Sequence, residues 1–312
     1  MKNKIIKYIG YIITIIAFIF IGKSFLSMNL DVKYIKNPFL AVIFVILMSM
    51  GYAVTVYISS YAWKSILEFI NKDSIPFKDI TGIYVKANIA KYLPGNVMHF
   101  AGRNLLAARL GFKQLDITFC TILEIIMLIF TSVIISLIFA MKIFKNSLEY
   151  ALLKVNHNVI WVVLIALVIL TLLVIWIVCK KKQLLKNYRH IFTKKILILL
   201  CKLFFIYSIT LIIPGIFLMV SLKFVLHCNV SLNMIMIIIS SYTISWVLGY
   251  IAPGAPGGIG IRETILLIIL TPFYTNGVVL LATILLRVIS VLGDLIAFFL
   301  EPVVSRKTLN IN

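Results

Sequence analysis

Residues 117–139 read ITFCTILEIIMLIFTSVIISLIF, 23 residues with a single charge, Glu124. At about 1.5 Å of rise per residue, such a helix outreaches the roughly 30 Å of hydrocarbon in a bilayer. Globular cores do not come as consecutive runs of that length, and this one has company. Phe39–Tyr61, Val159–Cys179 and Leu203–Val220 are of the same kind, Tyr8–Ile21 is shorter, and a final long helix is expected over Val278–Leu300. The chain is 62% apolar with a mean hydropathy of +1.10, where a soluble domain is about half apolar. The expectation is an all-α integral membrane protein, a single polytopic unit over residues 1–312 with about six full spans.

Charge supports that reading. Lys and Arg number 30 against 10 acids, a net charge of +20. These cations lie between apolar runs and not in a soluble patch, which points to anionic lipid headgroups and away from nucleic acid. Lys2, Lys4 and Lys7 precede the first run, but no A-x-A site follows it, so it reads as a retained transmembrane helix and not a signal peptide. The loop Lys180–Lys202 carries eight cations; with the N-terminus inside, that loop is cytoplasmic, as the bias of Lys and Arg demands. An even number of crossings then returns the C-terminus to the cytoplasmic side of the cell membrane. Cys120, Cys179, Cys201 and Cys228 form no C-x-x-C pair and the four histidines are dispersed, so neither a metal nor another cofactor is expected.

Two segments depart from simple spans. Ile80–Gly111 is too polar to face lipid and too apolar for a loop, and Met234–Phe273 has apolar arms around YIAPGAPGGIGIRE. Each has a Pro-Gly break within a helical pattern. PGNVMHFAGR and PGAPGGIGIR align with Arg nine residues after the proline, from Pro94 to Arg103 and from Pro253 to Arg262. The first would enter from the cytoplasm and the second from outside. That is the arrangement of an inverted repeat built on broken, re-entrant helices, with halves 1–140 and 159–300; the second segment is open to another reading, because Asn229–Ile261 is uncharged and long enough to cross once. Pro94, Gly95, Pro253, Pro256 and Gly260 are the expected structural breaks.

Charges inside membrane helices are costly, about 2.5–3.5 kcal/mol each on insertion scales, so they face a cavity or a partner. Lys86, Lys91 and Arg103 lie in the first broken element, Arg262 and Glu263 in the second. Glu124 lies in a span, and Arg287 and Asp294 lie seven apart on one face of the last helix, a candidate ion pair. The five cations Lys86, Lys91, Arg103, Arg262 and Arg287 outnumber the three carboxylates, an excess suited to phosphate, which Arg grips bidentately. Gly257 and Gly258 would let the backbone approach a headgroup. The expected substrate-binding set is Lys91, Arg103, Gly257, Gly258, Arg262, Glu263 and Arg287. Glu124 and Asp294 are the candidates for proton coupling. Lys86 and Lys91 have a plainer reading as interfacial lysines, and His99 as an interfacial histidine.

The pair KYLPGNVMHFAGR (Lys91–Arg103) and APGAPGGIGIRE (Ala252–Glu263) resembles the flippase-like transmembrane domain of lysylphosphatidylglycerol synthases and its stand-alone relatives. The resemblance covers nearly the whole chain in span layout and is specific at P-x-x-P-G-G-x-G-x-R-E. It implies a domain that moves a lipid headgroup between leaflets, aminoacylated phosphatidylglycerol in the full synthases. Met98-His99 stands where many relatives have Gly-Glu or a Trp. No aminoacyl-transferase domain is found in these residues, which leaves other anionic lipids and polyprenyl-phosphate-linked sugars open.

No G-x-x-x-x-G-K-[ST], G-x-S-x-G or H-E-x-x-H occurs, and GGIGIRE is not G-x-G-x-x-G. The favoured function is a lipid flippase or transporter. The alternatives are a membrane-embedded transferase using Glu263, His99 or Asp79 on a lipid-linked substrate, or a non-catalytic partner of a separate lipid-modifying enzyme. The topology is directly testable. Single cysteines placed within Lys180–Lys195 should react with an impermeant thiol reagent only from the cytoplasmic side; labelling only from outside would reverse the model.

Overall fold

The computed structural model describes residues 34–93, 97–152, 194–252 and 256–304, and every regular element among them is helical. The elements are α1 (Pro38–Asn71), α2 (Phe77–Asn88) with a 3-10 turn (Ile89–Tyr92), α3 (Met98–Arg109), α4 (Gln114–Leu152), α5 (Lys194–Val220), α6 (Leu232–Ile251), a 3-10 turn (Pro256–Gly258), α7 (Ile261–Leu270) and α8 (Asn276–Val304). Five of them, α1, α4, α5, α6 and α8, are long and apolar enough to cross a membrane. The protein is therefore a multi-pass membrane protein. The expected spans Tyr8–Ile21 and Val159–Cys179, the breaks at Pro94, Gly95 and Pro253, and most of the basic loop lie outside the described residues.

The two broken segments differ in build. α2 and α3 are 12 residues each, about 18 Å, and neither alone crosses hydrocarbon. α6 runs 20 residues with mean hydropathy 1.8, long and apolar enough for the single crossing that is one of the two readings the sequence leaves open for this segment. Its small hydroxyls are satisfied within the helix: Ser241, Thr243 and Ser245 each donate to a carbonyl three or four residues back. Ser231 caps its start by accepting from the Met234 N–H at 3.4 Å. The short arm is α7, 10 residues long.

Local chemistry fixes the other ends. Asn37 accepts from the Leu40 N–H at 3.2 Å and Pro38 supplies the first turn of α1. At its far end Glu68 takes Lys64 Nζ at 2.6 Å and the Ile75 N–H at 2.9 Å, turning the chain towards α2. The outer faces of α1 and α5 present Phe39, Leu47, Val54, Ile198 and Phe205 to the surroundings, an apolar belt that only lipid covers without cost.

Helices meet closely where glycine removes the side chain. A Cβ at Gly293 on α8 would lie 2.7 Å from the Tyr52 ring and 2.8 Å from the Ser49 carbonyl on α1. One at Gly215 would lie 3.2 Å from the Ile239 backbone on α6. Such close approach is how helices associate where lipid supplies no hydrophobic drive. Gly293→Leu should therefore cost about 1–3 kcal/mol through overpacking, read as a lower unfolding temperature in detergent. Phe205→Leu, on a side chain 66% exposed, should leave it unchanged.

Candidate functional site

The helical ends and breaks surround a cavity of about 110 Å³ to which each of the described helices α1–α8 contributes. Its wall includes Tyr52 and Thr55 from α1, Tyr84 and Asn88 from α2, Lys91 and Tyr92 from the 3-10 turn, and His99 and Arg103 from α3. Glu124 comes from α4, Tyr207 from α5, Trp246 and Tyr250 from α6, Gly257 from the second turn, Arg262 from α7 and Arg287 from α8. Drug-sized ligands occupy about 300–1,000 Å³. This space is smaller than that.

The charges fall into pairs. Asp294, 1% exposed, accepts from Lys91 Nζ at 2.7 Å, from Asn88 Nδ2 at 2.7 Å and from the Tyr92 hydroxyl. Residues 88, 91 and 92 sit at i, i+3 and i+4, so the end of α2 and its 3-10 turn present one face to this carboxylate. Glu124 accepts from Arg103 Nη1 at 2.5 Å and from the Tyr84 hydroxyl at 3.1 Å. The Arg103 guanidinium, 3% exposed, also lies over the rings of Tyr84 at 4.6 Å, Phe100 at 5.2 Å and Trp63 at 5.6 Å. Arg287 Nη1 meets Glu263 Oε1 at 3.1 Å, while Glu263 Oε2 accepts the Gly260 N–H at 2.7 Å and so caps its own helix.

Arg262 is the exception. It forms no ion pair among the described residues, and its buried Nε has no hydrogen-bond partner. Its side chain runs through a slot between two glycines. A Cβ at Gly249 would lie 2.6 Å from Arg262 Cγ, and one at Gly258 would lie 2.6 Å from Nε. Gly258 has φ +74 and Gly257 φ +56, the left-handed region that glycine occupies freely. The guanidinium stands over Trp246 at 5.6 Å, and Tyr250 stacks on Trp246 at 4.8 Å.

Expected site residues thus fall on one wall but with different partners. Lys91, Arg103, Gly257, Arg262 and Arg287 line the cavity; Gly258 bounds the Arg262 slot, and Glu263 supports Arg287 from α7. Pro256 begins the second 3-10 turn, and Gly260, with φ +84, precedes α7. Arg287 and Asp294 do not pair, correcting the expectation from their spacing: seven residues separate them by about 10 Å along the axis. Lys91 lines the cavity and engages Asp294. Lys86 approaches Glu301 at 2.9 Å, without hydrogen-bond alignment. His99 is 7% exposed, with Nδ1 unpartnered, and lies in the cavity wall. Asn88, Tyr92, Trp246 and Gly249 were missed from sequence. Helical spacing was the signal for the first two, since Asn88 lies three residues before Lys91 and four before Tyr92, and the i, i+3 relation of Trp246 and Gly249 was the signal for the others.

What fold and site define is a polytopic α-helical membrane protein with a buried, cationic polar cavity. No family model, no curated protein and no solved structure matches the chain.

Removing one member of a buried ion pair strands its partner. Arg103→Ala should destabilise the protein by about 3–5 kcal/mol, and Arg103→Gln with Glu124→Gln should recover much of that loss. Thermal unfolding in detergent measures both, and a double variant no more stable than Arg103→Ala contradicts the pairing.

Proposed function

We propose that the protein is a lipid transporter of the cell membrane that carries a phosphate-bearing headgroup between leaflets. The observation that supports this most is the charge balance of the cavity: four cations, Lys91, Arg103, Arg262 and Arg287, against three carboxylates, Asp294, Glu124 and Glu263, with Arg262 left over. Arg262 is half-buried with its Nε fully buried and unpartnered, and a partly desolvated guanidinium of this kind is favoured by an anion that shares its site. A phosphate does so bidentately, and the glycine slot holds the guanidinium ready for it.

In this reading Lys91, Arg103 and Arg287 shape the wall and set its potential, and Arg262 contacts the phosphate. The clamp on Asp294 offers the moving part. A proton taken up by that carboxylate would weaken its hold on Lys91, Asn88 and Tyr92 together, loosening the first broken element from α8. Proton uptake and headgroup movement would be coupled at that step.

Purified protein in liposomes carrying a fluorescent phospholipid tests the reading. Lipid should exchange between leaflets at a rate set by protein density, and Arg262→Lys should lower that rate at least about tenfold with folding intact, because lysine keeps the charge and loses the planar fork. Folded protein that modifies the lipid, or leaves it in place, contradicts transport.

A further inference from the structure

We infer that the cavity accepts anionic headgroups lacking an amine and rejects those carrying an ammonium, so that its lipid has a phosphate with a neutral, hydroxylated substituent. This narrows the proposed transport reading and rests on it.

A phosphate finds a surplus positive charge, Arg262, with an unpartnered buried donor at Nε. Two further buried polar atoms on the same wall lack partners: the Tyr207 hydroxyl, which can donate to phosphate or accept from a headgroup hydroxyl, and His99 Nδ1.

An ammonium finds the reverse. Each negative charge already has its own cation. All six carboxylate oxygens accept a donor: Asp294 from Asn88, Lys91 and Tyr92, Glu124 from Tyr84 and Arg103, Glu263 from Arg287 and Gly260. Aromatic faces are the other recognition surface for ammonium groups. Several of these are covered from within: Tyr52 and Tyr92 by Lys91, Tyr84 by Arg103 and Trp246 by Arg262. An entering ammonium therefore brings an uncompensated charge into a site that is already positive, and like charges brought together in a desolvated site exclude the wrong ligand.

The same features disfavour an aminoacylated headgroup, which brings at least one ammonium. They suit a glycerol phosphodiester or a sugar phosphate on a lipid, and a free phosphate shares that chemistry.

The test compares acyl-labelled phosphatidylglycerol and phosphatidylethanolamine in liposomes containing the wild-type protein. Phosphatidylglycerol should move at least about tenfold faster. Arg262→Gln, checked for folding by its unfolding temperature, should bring the two rates within about twofold. Inorganic phosphate in excess separates the sources: a lipid site shows undiminished preference between the two lipids at reduced rate. Equal wild-type rates overturn the headgroup inference while leaving lipid transport standing. Movement of neither lipid, with phosphate still raising the unfolding temperature through Arg262, assigns the cavity to a soluble anion and overturns both readings.

Discussion

The structure depends on the clamp that Asp294 makes on the first broken element. A carboxylate in the middle of a membrane helix is intolerable alone, and here it is held by a lysine, an amide and a phenol from one helical face. Those three groups fix the end of α2 and its 3-10 turn against α8. Once they are fixed, Tyr84 and α3 are positioned to bring Arg103 to Glu124. α8 also carries Arg287, and through Glu263 it sets the start of α7. The charge left without a carboxylate, Arg262, therefore faces the cavity as a consequence of how the others are satisfied.

Buried pairs of this kind are seldom a net source of stability, because two desolvated charges recover little more than they lose. Their value here is specificity of arrangement. Asp294 joins elements about 200 residues apart in sequence, Glu124 ties α4 to the preceding α2 and α3, and each names its partner by both charge and geometry. Glycine does the complementary work. Gly293 and Gly215 let long helices approach closely, while Gly249 and Gly258 open a channel for one arginine side chain.

Much of this was legible in the sequence, for physical reasons. The long uncharged runs announced α1, α4, α5 and α8, and the paired Pro-Gly segments marked the places where helices shorten. The intramembrane charges announced the site residues, because an ionisable group in hydrocarbon needs a reason to be there. Partnership was not legible. Arg287 and Asp294 share a helical face, yet the axial rise over seven residues puts them out of reach, and which carboxylate meets which cation depends on how α2, α7 and α8 cross. The full length of α6 was obscured because one uncharged stretch, Asn229–Ile261, holds both a complete span and the break after it. Trp246 and Gly249 went unremarked because an aromatic and a glycine in an apolar helix carry no charge to draw notice.

The central claim is that Arg262 holds the phosphate of a bound lipid. Mass spectrometry of lipid retained by the purified protein tests it most directly, comparing wild type with Arg262→Gln at equal folded fraction. The account predicts a phosphate-bearing lipid on the wild-type protein that is largely lost from the variant. An unchanged lipid complement in the variant would contradict it.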